Sequence, residues 1–280
     1  MHRREDIYRA TEILRDGGFS NLSFDLIAGL PHQSAASWED SLEQLLNLRP
    51  EHISIYLLEV DEGSRLGREV LSLGTRYSAL AVPGEEEMVA FYDRARERLA
   101  AAGYDHYEIS NWALVGQAPA TSFSREGTAS AVPSEAARGE GASAPEGVYR
   151  SKHNLKYWRR EPYLGFGAGA HSFNGHQRWA NAHDPAQYVA AITQGRLPIE
   201  PAHGGETLTP QQALEEELFL GLRQLQGIDY RRLEAQYNVR LAPRLERLRD
   251  EGLVEVDGSR VRLAPSRLTV STEVFVELLG

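Results

Sequence analysis

Six consecutive positions, His153-Asn154-Leu155-Lys156-Tyr157-Trp158, bring together an imidazole, an amide, a phenol and an indole. Such groups can ligate a metal, donate hydrogen bonds and stack on a flat aromatic ligand. The competing reading is structural, with Tyr157 and Trp158 as core aromatics and His153 as a satisfied loop histidine. A few residues on, Gly165-Phe166-Gly167-Ala168-Gly169-Ala170-His171-Ser172 forms a small-residue loop of the kind that lets a ligand approach the backbone. Three carboxylates stand beside apolar runs: Asp25, Glu59 and Glu108. A carboxylate at the end of a strand accepts two hydrogen bonds in fixed geometry, which suits ribose hydroxyls. A cap or ion pair for Asp25, and a solvated loop position for Glu59, are the structural alternatives. Asp25, His106 and His171 also suggest a metal-dependent hydrolase, but no His-x-His or His-Glu-x-x-His pair accompanies them. The sequence carries neither a Walker-type phosphate loop nor a serine elbow.

The elements that must position these groups follow from periodicity. Ile7, Ala10 and Leu14 predict a helix over 4–16, stopped by Gly17-Gly18. Asn21 to Ile27 reads as a strand covered on both faces, broken by Gly29-Leu30-Pro31. Ser37 is the expected cap of a helix whose apolar face is Trp38, Leu42, Leu45 and Leu46. Ile53 to Leu58 is the next strand. Met88, Tyr92, Ala95 and Leu99 stripe a helix that begins near Gly84, and Tyr104 to Ser110 is the strand after it. This alternation predicts a parallel sheet with right-handed crossovers. Residues 114–150 lose all periodicity and large apolar side chains, so they read as a disordered insertion. From Thr209, three helices are marked by Leu214-Leu218-Leu222-Leu225, Asp229, and Leu241-Leu245-Leu248. A hairpin follows, turned at Asp257-Gly258 as type I′, and together these resemble a winged-helix module.

Composition removes several classes. The formal net charge is −10, with 30 basic and 40 acidic residues, which argues against a general affinity for nucleic acid or anionic lipid. No apolar run reaches the length of a membrane span, and the opening residues are not signal-like, so the expectation is a cytoplasmic chain that is not an integral membrane protein. Cysteine is absent, which excludes a disulfide scaffold and any thiolate-held zinc or iron–sulfur site made by these residues.

The block His153-Asn154-x-x-Tyr157-Trp158 resembles the signature of the HemW haem chaperones. So do Asp25-Leu26-Ile27-Ala28-Gly29-Leu30-Pro31, Tyr163-Leu164 leading into the glycine-rich loop, and Gly103-Tyr104-x-x-Tyr107-Glu108-x-Ser110 between them. HemW is a branch of the radical S-adenosylmethionine group that includes the oxygen-independent coproporphyrinogen III oxidases, HemN. The likeness covers nearly the whole chain outside roughly 114–150. It implies an α/β fold: the C-terminal part of a partial (β/α) radical-SAM-type barrel over 1–113, completed by 151–208 and followed by a winged-helix-like module over 209–280. It implies haem carried at His153, Asn154, Tyr157 and Trp158, with His153 on the iron and Lys152, Lys156 or Arg159 near the propionates. It implies S-adenosylmethionine at Asp25, Glu59 and His171. A haem-acceptor protein, membrane-associated or not, is the implied partner. The family holds a [4Fe–4S] cluster on a CxxxCxxC motif that this chain lacks. The sequence thus reads as a C-terminal portion, not expected to be catalytic by itself, with the oxidative decarboxylation of coproporphyrinogen III as the alternative function.

Overall fold

The computed structural model describes residues 3–61, 63–71, 81–116, 149–200 and 205–279. It divides into two compact units, Met1–Arg150 and Ser151–Gly280.

The first unit runs α1 (Arg4–Asp16), β1 (Ser23–Ala28), α2 (Ala35–Leu48), β2 (His52–Leu57), α3 (Arg65–Leu71), α4 (Glu85–Ala101), β3 (Tyr104–Glu108) and β4 (Asn111–Leu114). Its sheet has the order β1-β2-β4-β3. β1 and β2 are parallel, but β4 runs antiparallel to both its neighbours. The expected all-parallel sheet is therefore mixed. Residues 104–110 do not form one strand: the chain turns through Ile109-Ser110 and returns between β2 and β3.

Register separates the two faces, because successive strand side chains alternate. Trp112 pairs with Ile53 and with His106 across the sheet. Trp112 and His106 meet Tyr92 of α4, so this face, with Phe24, Leu26 and Ile55 in phase, lies under the helices. Trp38, Leu42, Leu45, Phe91, Ala95 and Leu99 complete that core, and the Trp38 indole donates to the Phe91 carbonyl at 2.8 Å. β1 departs from the expectation of burial on both faces: Asp25 is exposed and Ile27 is 43% exposed. The cap of α2 is Ser34, whose Oγ accepts from Ser37 N–H while the Ser37 hydroxyl accepts from Ser34 N–H. Ser37, the predicted cap, thus closes a capping box three residues inside the true start, and the helix begins three residues earlier than predicted.

The second unit runs α5 (Lys152–Trp158), β5 (His171–Phe173), β6 (Gln177–Ala180), α6 (Pro185–Thr193), β7 (Glu206–Thr207), α7 (Pro210–Gly221), β8 (Ile228–Asp229), α8 (Tyr230–Tyr237), α9 (Ala242–Asp250), β9 (Val254–Asp257), β10 (Arg260–Leu263), a 3-10 turn (Pro265–Val270) and α10 (Ser271–Leu279). It holds two small antiparallel sheets, β5-β6-β7 and β8-β10-β9. Thr209 and Gln212 form the capping box of α7, and Asp229 caps α8. Leu218, Leu222, Leu233, Leu245, Leu248, Val261 and Phe275 pack the centre. At Gly227 (φ 69°) a Cβ would lie 2.1 Å from the Val261 carbonyl oxygen, so only glycine lets β8 approach β10. The hairpin turns one residue later than predicted: Asp257 pairs with Arg260, leaving Gly258-Ser259 as the loop. Gly258 takes φ 60° and Ser259 does not take positive φ, the sense of a type II′ rather than a I′ turn.

Ordered structure enters both ends of the 114–150 segment: Leu114 closes β4, Tyr149 is buried, and Arg150 pairs with Asp105 at 2.6 Å. Residues 117–148, where disorder was expected, lie outside the described residues. Among the described residues, no helix is long and apolar enough to cross a membrane.

Candidate functional site

In the second unit the six-residue block is a short helix, α5, whose N-cap Ser151 accepts from Asn154 N–H at 3.3 Å. Helical geometry distributes its side chains along lines about 100° apart per residue. His153 and Tyr157 share one line, with ring centroids 4.9 Å apart at 75°. Tyr157 meets Tyr163 at 4.7 Å and 62°, and Tyr163 meets Phe173 at 6.2 Å. The result is a continuous strip of mostly edge-to-face rings that begins at an exposed imidazole. Neither His153 nitrogen has a hydrogen-bond partner among the described residues, so the ring is free to give its lone pair to a metal or donor and its N–H to an acceptor.

Trp158 does not join this strip. It lies one line round with Asn154, and the Arg223 guanidinium sits 4.4 Å from its ring centroid. Its Nε1 is buried without an acceptor. The expectation of four functional groups side by side is corrected here: one ring face of Trp158 is already taken by the protein.

The strip ends in cations. Arg160 donates from Nε to Glu216 Oε2 at 2.8 Å, and Arg178 Nη1 lies 2.8 Å from Glu216 Oε1. Both guanidiniums lie beside Phe173, at 4.8 and 5.4 Å from its centroid.

The glycine-rich loop folds onto its own strand. Asn181 Nδ2 donates to the Gly165 and Gly167 carbonyls at 3.1 and 2.9 Å, and Gly165 N–H donates to Ser172 Oγ at 3.0 Å. A Cβ at Gly165 would lie 2.2 Å from the His171 carbonyl oxygen, so that glycine serves packing. At Gly167 (φ 99°) a Cβ would meet nothing within 4 Å, but its N–H donates to the Tyr188 hydroxyl at 3.1 Å and its carbonyl is held by Asn181, so this backbone too is engaged by the protein. His171, the first residue of β5, is exposed.

The first unit carries a second polar arrangement on the sheet face away from the helices. Register places Asp25, Ser54, Asn111 and Glu108 in one row across all four strands. Ser54 Oγ donates to Asn111 Oδ1 at 2.8 Å, Asn111 Nδ2 donates to Glu108 Oε1, and Ser110 N–H donates to the same oxygen at 3.1 Å. Toward the strand N-termini, His52 bridges two hydroxyls, Ser23 Oγ and the Tyr107 phenol, each at 2.8 Å. Burial holds the His52 pKa below its ordinary value, against the opposing pull of Asp25. At the other end of β1, Gln33 folds back so that its Oε1 accepts from Gly29 N–H at 2.6 Å. Gly29 (φ 93°) sits where a Cβ would meet the Met88 sulfur at 2.6 Å. These contacts fix the turn that follows Asp25. Glu59 is an exposed loop residue just beyond β2.

Comparison with known proteins follows the same blocks. Residues 208–266 match the HemN C-terminal domain. Over its whole length the chain is 30% identical to the heme chaperone HemW of Bacillus subtilis, spanning 64% of that protein. Over 97% of its length it is 31% identical to the heme chaperone HemW of a Synechocystis species, spanning 58% of that protein. The chain is homologous to HemW. A solved structure, coproporphyrinogen III oxidase (HemN) from Escherichia coli, superposes on 99% of the chain with a TM-score of 0.67 at 17% identity, and 59% of that chain is covered. The fold is therefore that of part of a HemN-type radical-SAM protein with its C-terminal domain.

Against this HemW-like frame, Asp25 and Glu59 lie in the first unit and His153, Asn154, Tyr157, Trp158 and His171 in the second. His106, named with Asp25 and His171 for a metal, stacks flat on Trp112 at 4.1 Å on the helix-covered face, and the described residues contain no metal-ligating cluster. Sequence reasoning missed His52, Ser54 and Asn111, although His52-x-Ser54-x-Tyr56 shows the period of a strand face. It also missed Arg160, Arg178 and Glu216, which no local pattern joins.

Proposed function

We propose that this chain carries the cargo-binding part of a haem chaperone of the HemW type, handing haem to an acceptor protein. The observation that carries the reading is the exposed His153 imidazole at the head of an aromatic strip, Tyr157 and Tyr163. Haem iron takes a histidine nitrogen as axial ligand, and the macrocycle needs an apolar and aromatic surface. His153 would hold the iron, the two tyrosines would face the ring, and Asn154 would sit one line round from them. Trp158 would support α5 from behind.

Asp25 is the residue we assign to S-adenosylmethionine, through its exposed carboxylate at one end of the polar row, with Glu59 and His171 as the further candidates. A [4Fe–4S] cluster does not fit this chain, because its thiolate ligands are missing from the sequence. Radical decarboxylation of coproporphyrinogen III is accordingly not a step these residues can initiate.

Haemin titration tests the reading. The purified protein should give a Soret shift that is lost, or weakened at least about tenfold, in His153→Ala, the loss of one axial ligand bond. An unchanged spectrum and affinity would remove His153 from the site and leave His171 to be tested in its place.

A further inference from the structure

The strip in the second unit has two chemically different ends, and the described function uses only one. Arg160 occupies φ 54° immediately after α5. The paired bonds Glu161 N–H to Lys156 O and Arg160 N–H to Tyr157 O, at 3.0 and 2.9 Å, form a Schellman turn. Glycine is the ordinary residue there, and an arginine accepts backbone strain. What the strained position secures is a guanidinium delivered to Phe173 and Glu216.

Glu216 is one carboxylate facing two guanidiniums, with one oxygen given to each. Arg178 also hydrogen-bonds the Tyr163 hydroxyl. The carboxylate in register with Arg178 on β7, Glu206, accepts from Gln212 Nε2 at 3.2 Å. The Arg160 side chain is 10% exposed, and its Nη2 is buried without an acceptor. Arg178 is 35% exposed. The cluster thus holds more fork-shaped donors than acceptors and has one cation open to solvent. Guanidinium forks of this kind match a carboxylate in two parallel hydrogen bonds.

We propose that Arg178, with Arg160 behind it, is the carboxylate-binding end of the strip and receives a propionate of the tetrapyrrole whose iron lies toward His153. The proposal rests on the haem reading and adds an orientation: acid groups toward Arg178, metal toward His153. Lys152, Lys156 and Arg159 are not needed for this, and Arg159 is exposed with Glu161 3.9 Å away.

The test compares haemin with haemin dimethyl ester, and iron-free protoporphyrin with its dimethyl ester, by Soret absorbance and tryptophan quenching. The wild-type chain should bind each diacid at least about tenfold more tightly than its ester, as a charge-assisted pair provides. Arg178→Gln should erase that preference, and Arg178→Lys should restore part of it. Circular dichroism identifies a variant that has failed to fold, and the lysine variant then carries the comparison. Equal binding of acid and ester by the wild type would overturn the proposal, as would a preference that survives both Arg178→Gln and Arg160→Gln. If haemin gives no Soret shift but iron-free porphyrin keeps an Arg178-dependent acid preference, the carboxylate site stands and His153 ligation falls. Binding of none of the four ligands would overturn both.

Discussion

His52 and His153 show how differently the two units use the same side chain. His52 is 6% exposed and both its nitrogens meet hydroxyls. His153 is exposed, makes a ring contact with Tyr157 and has neither nitrogen hydrogen-bonded among the described residues. The same contrast extends to their surroundings. The polar row of the first unit passes hydrogen bonds from Ser54 through Asn111 to Glu108 inside the protein. The strip of the second ends in a half-exposed arginine. A saturated, buried polar group holds a fold together, because leaving it unpaired is costly. An open group with spare donors or lone pairs contributes little to folding and is available to a ligand. The contrast can be broken by stability measurements in which the second unit proves as sensitive as the first.

The largest effect belongs to the covered face of the first sheet. Trp112 is 1% exposed and packs between His106 and Tyr92. Trp112→Ala should cost about 4 kcal/mol by urea unfolding, from lost burial and a cavity the neighbours cannot fill. Trp112→Phe should cost much less, since the buried Nε1 has no acceptor to lose. A small loss in the alanine variant would mean that the sheet relaxes easily and that its polar row is not rigid either.

How much of this was visible in the sequence depends on distance along the chain. α2, α4 and the C-terminal helices follow from apolar spacing, because a helix writes its buried face into i, i+3, i+4 positions. The same spacing marks α1 as a helix, but its stripe of Ile7, Ala10 and Leu14 is exposed rather than buried. β4 escaped because Asn111-Trp112-Ala113-Leu114 follows β3 after only Ile109-Ser110, with no glycine or proline to mark the turn. Ser34 and Ser37 are both good caps, and only the backbone decides that Ser34 precedes the helix. Within the candidate site, the block at 153–158 was conspicuous, yet its division into two lines requires knowing that it is helical. Arg160, Arg178 and Glu216 are brought together by α5, β6 and α7. No periodicity links residues that far apart.

Acid should act on the first unit next. Burial holds His106 down to about 4, with its carbonyl partner at Ile109 and Asp105 favouring the charged form and Arg96 opposing it. Once unfolded, the ring returns to its ordinary 6.5. Between these values the unfolded chain binds a proton that the folded chain refuses, so stability is complete above about pH 6.5 and falls as pH drops toward 4. The loss is of order 3 kcal/mol at pH 4 or below. His52, shifted in the same direction, adds to it. Urea midpoints at pH 7, 5.5 and 4 for the wild type and His106→Phe would measure the slope. An equally steep fall in the phenylalanine variant would assign the acid sensitivity to other groups.

The smallest effect is the one that tests the contrast directly. Asn111→Leu removes the donor to Glu108 and the acceptor for Ser54 at once, and should cost about 2 kcal/mol by leaving buried groups without those bonds. His153→Ala removes an exposed ring one residue inside the start of α5. Its effect on stability should stay within about 0.5 kcal/mol, as for surface positions generally, while haemin binding falls. The pair separates two meanings of a polar cluster. If Asn111→Leu lowers stability and leaves haemin affinity unchanged while His153→Ala does the reverse, the polar row is scaffold and the strip is site. If His153→Ala destabilises as much as Asn111→Leu, the T-shaped contact with Tyr157 is holding α5 in place. Its loss of haemin binding would then be a secondary consequence of unfolding that helix.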